Sequence, residues 1–92
     1  MNAKANLPGA ELVERGMADL ARGQETVESL LASIGAPRLE ALGYTLGTVI
    51  ISPEHRLYSL LAAEDGEAAH SRYNALIRRL VSYERAAECV AR

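Results

Sequence analysis

The side chains able to do chemistry in this chain are two histidines, one cysteine, twelve carboxylates and a serine set that includes Ser52, Ser59, Ser71 and Ser82. A zinc site needs Cys and His at short fixed spacings, and a zinc protease needs His-Glu-x-x-His on one helix face. Neither pattern contains His55 or His70, and Cys89 has no second cysteine to join it. A nucleophilic thiol needs a base within reach. One turn before Cys89 stand only Arg85 and Ala86, and a helix C-terminus disfavours the thiolate. The serines lack the Gly-x-Ser-x-Gly elbow, and the carboxylates are spread out rather than paired for acid–base work. Gly9, Gly16 and Gly23 recur at even spacing without the Lys-Ser/Thr that a phosphate loop requires. A His70/Asp65 site at a helix hairpin is the one such arrangement that the order of elements allows. It ranks last, because a bundle this small has little room for a sequestered pocket. No catalytic, cofactor-binding or metal residue is therefore assigned, and no enzyme activity is expected.

What remains is charge and aromatic surface. The net charge is −2, unsuited to a general polyanion binder, but residues 1–66 carry −4 and residues 67–92 carry +2. Arg72, Arg78, Arg79 and Arg85 concentrate the positive charge on one segment, where they could contact phosphates as a small DNA- or RNA-binding regulator. Glu84 and Glu88 on the same segment, and acidic residues elsewhere, make ion pairing within or between subunits the stronger expectation. A helix-turn-helix over residues 27–42 fits poorly, because Leu31 occupies the small-residue position before Gly35 and the second helix has barely one turn. All four aromatics are tyrosine. Tyr58, Tyr73 and Tyr83, with Ile77 and Arg79, make the candidate protein interface, since tyrosine suits half-buried surface.

The element that must position these residues is the last third of the chain. No Pro or Gly follows Gly66, and Tyr73, Leu76/Ile77, Leu80/Val81, Ala87 and Val90/Ala91 recur at three-and-four spacing, which predicts one long amphipathic helix over 67–91. Upstream, Leu12, Val13, Met17, Leu20 and Ala21 predict a helix over 10–22 that Gly23 stops. Gly16 lies inside it on the apolar side, as close helix packing would require. Thr26 can cap a second helix over 26–34, and Pro37 opens a further turn over 38–42 that Gly43 ends. Ser52-Pro53-Glu54 starts a helix over 53–64, with Ser52 as cap. At Glu64-Asp65-Gly66 this helix turns back into the long one, Asp65 capping it. Residues 44–51 are the exception, with β-branched residues and no helix signal. A crossing loop is expected there, and pairing with its own copy across a two-fold axis is the sharper alternative.

These elements predict an all-α small bundle of four main helices plus one short helical turn, the C-terminal helix packed as a hairpin on the preceding one. Residues 1–9 are expected as a flexible lead-in whose Leu7 docks on the core, and residues 10–92 as one domain. With no Phe or Trp, its core is thin in aromatics and would gain from association. One cysteine, no leader-like N-terminus and no long apolar run fit a cytoplasmic setting without membrane contact. The Ala-, Gly- and Arg-rich composition fits a GC-rich bacterial genome. The expected role is a non-catalytic protein-interaction module that self-associates, a dimer favoured, through its C-terminal helix. Nucleic-acid binding through the four arginines is the alternative.

Overall fold

A computed structural model describes residues 6–91. Its helices are α1 (Ala10–Ala21), α2 (Val27–Ile34), α3 (Ala36–Ala41), α4 (Pro53–Asp65) and α5 (Ala69–Ala91), with a 3-10 turn over Gly66–Ala68 between the last two. No strand occurs among the described residues. Of the expected lead-in, residues 1–5 lie outside the described residues, whereas Leu7 packs against the core as a staple would.

Each helix end has a local cause. Gly9 takes a left-handed conformation (φ 83°) and its carbonyl accepts from Leu12 and Val13 to begin α1. After α1, Gly23 at φ 69° reverses the chain while its amide and that of Gln24 return to the Leu20 and Asp19 carbonyls. The Thr26 side chain accepts from the Ser29 amide at 3.0 Å while the Thr26 amide donates to Ser29 Oγ at 2.7 Å, a capping box that opens α2. Pro37 sits in the first turn of α3, which starts two residues earlier than expected.

Two expected caps do not form. Ser52 precedes α4 but has left-handed backbone (φ 53°, ψ 51°) and no capping hydrogen bond, because a capping hydroxyl needs β-region backbone to reach the first-turn amides. Asp65 makes no cap either; Arg72 takes its carboxylate instead.

The helices meet around Leu30, Leu31, Leu39, Leu57 and Leu61, with Val13, Leu80, Tyr83 and Ala87 completing the core. At the α1–α2 crossing the two backbones come close together. A Cβ at Gly16 would stand 2.2 Å from the Glu28 carbonyl oxygen and 2.9 Å from Ala32 Cβ, so only glycine lets the two backbones touch there. α4 and α5 form the expected antiparallel hairpin, and α5 continues past it to pack on α1 and α2. Among the described residues no helix is long and apolar enough to cross a membrane.

Candidate functional site

The residues with chemical potential stay apart. His55 and His70 are exposed, and His70 Nε2 lies 3.2 Å from Asn74 Nδ2 rather than against Asp65. Cys89 is an exposed free thiol. Among the described residues no group of three His, Cys, Asp or Glu side chains could hold a metal.

Half of the arginine set is neutralised. Arg72 pairs with Asp65 and, at 3.3 Å, with Glu64, while Arg79 donates to Glu11 on α1 at 2.6 Å. Arg78 and Arg85 are exposed and form no ion pair among the described residues. The candidate interface also divides. Tyr58 is 41% exposed and stands edge-on to His70 and 5.7 Å from the Tyr73 ring, whereas Tyr73 and Ile77 are half-buried against the core. Tyr83 is 1% exposed, inside the core rather than at a surface, because α1 and its Gly9 lead-in close over that part of α5.

Two buried carboxylates went unread in the sequence: Asp19, held by the Thr26 hydroxyl and Arg22, and the less well satisfied Glu84. Glu84, 3% exposed, takes Arg38 Nη1 on Oε1 at 3.3 Å, while Arg38 Nη2 prefers Glu88 at 2.6 Å. Its other oxygen, Oε2, is buried without a hydrogen-bond partner among the described residues, in the space that a side chain at Gly35 would occupy. Burial pushes this carboxyl above its ordinary range, Arg38 opposes the shift and Glu88 adds to it. The signal was present: Glu84 falls four residues after Leu80 and three before Ala87, on the buried stripe.

Besides Arg78 and Arg85, the non-helical stretch 44–52 faces outward with unused bonding capacity. It is pinned at both ends. The Tyr44 amide donates to the Leu39 carbonyl and its hydroxyl is hydrogen-bonded to that of Tyr83, while the Ile50 amide donates to Ser33 Oγ at 3.1 Å. Tyr44, Leu46 and Ile50 pack against the core; Thr45, Gly47, Thr48, Val49 and Ile51 are exposed. Between the pins, among the described residues, the amides of Thr45 to Val49 donate to nothing in the chain. Val49 is 39% and Ile51 84% exposed, the latter the most exposed large apolar side chain described. Beside this stretch runs a groove of about 590 Å³, with Leu20, Ala21 and Gly23 on one wall and Gly47, Val49 and Ile50 on the other.

No protein-family model, curated protein or solved structure matches the chain. What the arrangement can do follows from its geometry alone. A pinned loop offering backbone donors, apolar side chains and an adjoining groove, with Glu25 and Thr48 as the groove's carboxylate and hydroxyl, can receive a polypeptide.

Proposed function

We propose that the protein is a non-catalytic protein-interaction module of a reducing, cytoplasmic compartment, and that it docks another polypeptide on the 44–52 stretch. The observation that carries this is the pairing of Ile51, 84% exposed, with the unpaired amides of Thr45 to Val49 beside a groove whose lining mixes Leu20, Val49 and Ile50 with Gln24, Glu25 and Thr48. Apolar side chains scattered singly on a surface need no explanation, but Val49 and Ile51 stand together beside backbone donors and a groove, a combination that a partner chain can cover.

The C-terminal helix is a weaker docking surface than its sequence promises. Tyr83 and Arg79 are already engaged within the protomer, and Tyr73 and Ile77 are half-covered, so the well-exposed aromatic of the candidate interface, Tyr58, lies on α4 and not on the C-terminal helix.

The test is co-purification of the tagged full chain from its native cells, wild type against Ile51→Asp. So exposed a position tolerates the charge without loss of fold, which circular dichroism checks. Loss of the retained protein, or of an untagged copy of the chain, on substitution is expected. An identical retained set from both proteins would remove the 44–52 stretch from the interaction.

A further inference from the structure

We propose that Glu84 is a proton-operated latch: ionisation of its buried carboxyl releases α3 and the turn after it, residues 36–44, from α5 as one local unit while α1, α2 and α4 stay in place.

The geometry sets the two protonation states apart. Glu84 is 3% exposed, and its Oε2 has no hydrogen-bond partner among the described residues. A Cβ on Gly35 would stand 2.8 Å from that oxygen and 3.1 Å from a Leu80 methyl, so no side chain separates the carboxyl from the start of α3. The other oxygen, Oε1, accepts from Arg38 Nη1 at 3.3 Å, but the same guanidinium gives its shorter bond, 2.6 Å, to Glu88. One arginine serves two carboxylates, and serves the exposed one better. A neutral acid, its proton on Oε2, leaves one O–H unpaired in this space. A carboxylate leaves a charge there, which is far costlier.

No further cation answers the ionised form. The charges that act on Glu84 are Arg38 from α3, which attracts, and Glu88 one turn on in α5, which repels. From α1, Glu11 takes Arg79 and Glu14 acts on Tyr44. α2 brings only Glu28, seven residues before Gly35 at the α1 crossing. α4 sets Glu64 and Asp65 on Arg72, more than three turns earlier in α5.

The piece that can yield is α3. It has six residues, one large buried side chain in Leu39, and polar ties to α5 that run through Arg38. The chain after it returns to α5 where the Tyr44 hydroxyl meets that of Tyr83, the residue before Glu84. Moving this unit away admits water between Gly35 and Oε2, which supplies the missing bond. α2 can stay, because its cap and its crossing with α1 lie toward its other end. In the released state water returns the carboxyl to about 4.3, whereas burial holds it higher in the packed state. Between those two values the released fraction rises about tenfold per pH unit, and above the higher one it is constant.

The test is amide hydrogen exchange by NMR on the full chain, wild type beside Glu84→Gln, from about pH 4.5 to about pH 8. Dividing the two rates at each pH removes the intrinsic pH dependence of exchange. The reporters are the amides of Leu39, Leu42, Gly43 and Tyr44, which donate to carbonyls within 35–40. Their wild-type to Gln ratio should rise about tenfold per pH unit and then level, at an opening free energy below that of the slowest α1 and α2 amides. Glu88→Gln, at a half-exposed position, should move the levelling to lower pH, because it removes the repelling charge and frees Arg38 for Glu84. A ratio flat in pH overturns the proposal, as does a levelling point indifferent to Glu88→Gln. So does a rise seen only at the opening free energy of the slowest amides, since Glu84 would then ionise only when the whole fold opens.

Discussion

Replacing Gly16 by alanine sets two opposite expectations against each other. In an isolated helix the change would stabilise, since alanine is favoured over an interior glycine by about 1 kcal/mol. In this fold the new Cβ would lie 2.2 Å from the Glu28 carbonyl oxygen and 2.9 Å from both the Glu28 carbonyl carbon and Ala32 Cβ. Ordinary contact begins near 3.4 Å, so relief needs a separation of about 1 Å more at the 2.2 Å contact. The obstructing atoms are backbone, so α2 would have to move as a unit. Its Leu30 and Leu31, 0% and 1% exposed, would lose packing on the other side. Overpacking of this kind costs about 1–3 kcal/mol, and a backbone clash belongs at the upper end or beyond. Net destabilisation of about 2 kcal/mol follows, a fall in Tm of roughly 10 °C for a domain of this size. Urea unfolding followed by circular dichroism measures it. Gly47→Ala serves as control, since nothing lies within 4 Å of its Cβ position, and should be near neutral. A Gly16→Ala protein as stable as wild type, or more so, would mean that α1 and α2 do not touch at this point.

Three further perturbations test other parts of the molecule. Because burial raises the Glu84 carboxyl, the folded chain keeps that proton to higher pH than the unfolded chain. Its contribution to stability is therefore greatest below the unfolded value of about 4.3, falls as pH climbs through the folded value and is flat beyond, about 1.4 kcal/mol for each tenfold difference in proton affinity between folded and unfolded chain. Glu84→Gln should lose that slope, so that the stability difference between the two proteins varies with pH over this range; a difference that stays flat would place Glu84 in water. Thr26→Ala should cost about 1–2 kcal/mol in the same urea assay, because it removes the cap of α2. It also removes the hydroxyl that donates to buried Asp19 at 2.6 Å. That hydroxyl is the first cause holding the Asp19 carboxyl low, ahead of opposing burial and the Arg22 contact, so the stability Asp19 supplies is present above the ordinary carboxyl range and lost as pH falls through its folded value. In Thr26→Ala that loss should begin at higher pH, as a carboxyl NMR titration would show. Finally, with Arg72 and Arg79 paired, duplex DNA should bind only at low salt and be released by about 0.15 M. Tight binding that persists at that salt, and is lost in Arg78→Ala/Arg85→Ala, would restore the arginine face as a nucleic-acid site.

The helices were legible because their punctuation is local. Gly23, Gly43 and Gly66 end or join helices at positive φ, and Thr26 caps where its spacing to Ser29 allows. The hairpin followed from α4 being short, α5 long and the connection tight. Other features depend on what packs against a residue from far along the chain. Arg79 is neutralised by Glu11, 68 residues away, and Arg38 by Glu84 and Glu88 across 46 and 50 residues. Tyr83 was expected half-exposed beside Tyr58 and Tyr73, yet a Cβ on Gly9 would come within 3.3 Å of its Cβ, so the start of α1 covers it. Ser52 occupies the expected place before α4 without its expected bond, because the 44–51 crossing delivers the chain to Pro53 in left-handed backbone. Of the candidate site, the β-branched character of 44–51 was visible. Its pinning by Ser33 and the Tyr44–Tyr83 contact was not, since both are non-local.

The protomer's own economy bears on what the 44–52 stretch is for. A compact monomer of 9.9 kDa exposes about 5,200 Å², and this chain exposes 5517 Å² with a radius of gyration of 12.9 Å. The surplus is small, so the protomer alone buries about as much surface as its size allows. Yet its core is built from Leu, Val and Ala around one buried tyrosine, which leaves little stability in reserve. Between its two pins the 44–52 stretch carries no charged side chain and leaves Val49 and Ile51 open to solvent, so what those two side chains add to the core is small, and the proposed docking role is the use that they and the amides of Thr45 to Val49 favour.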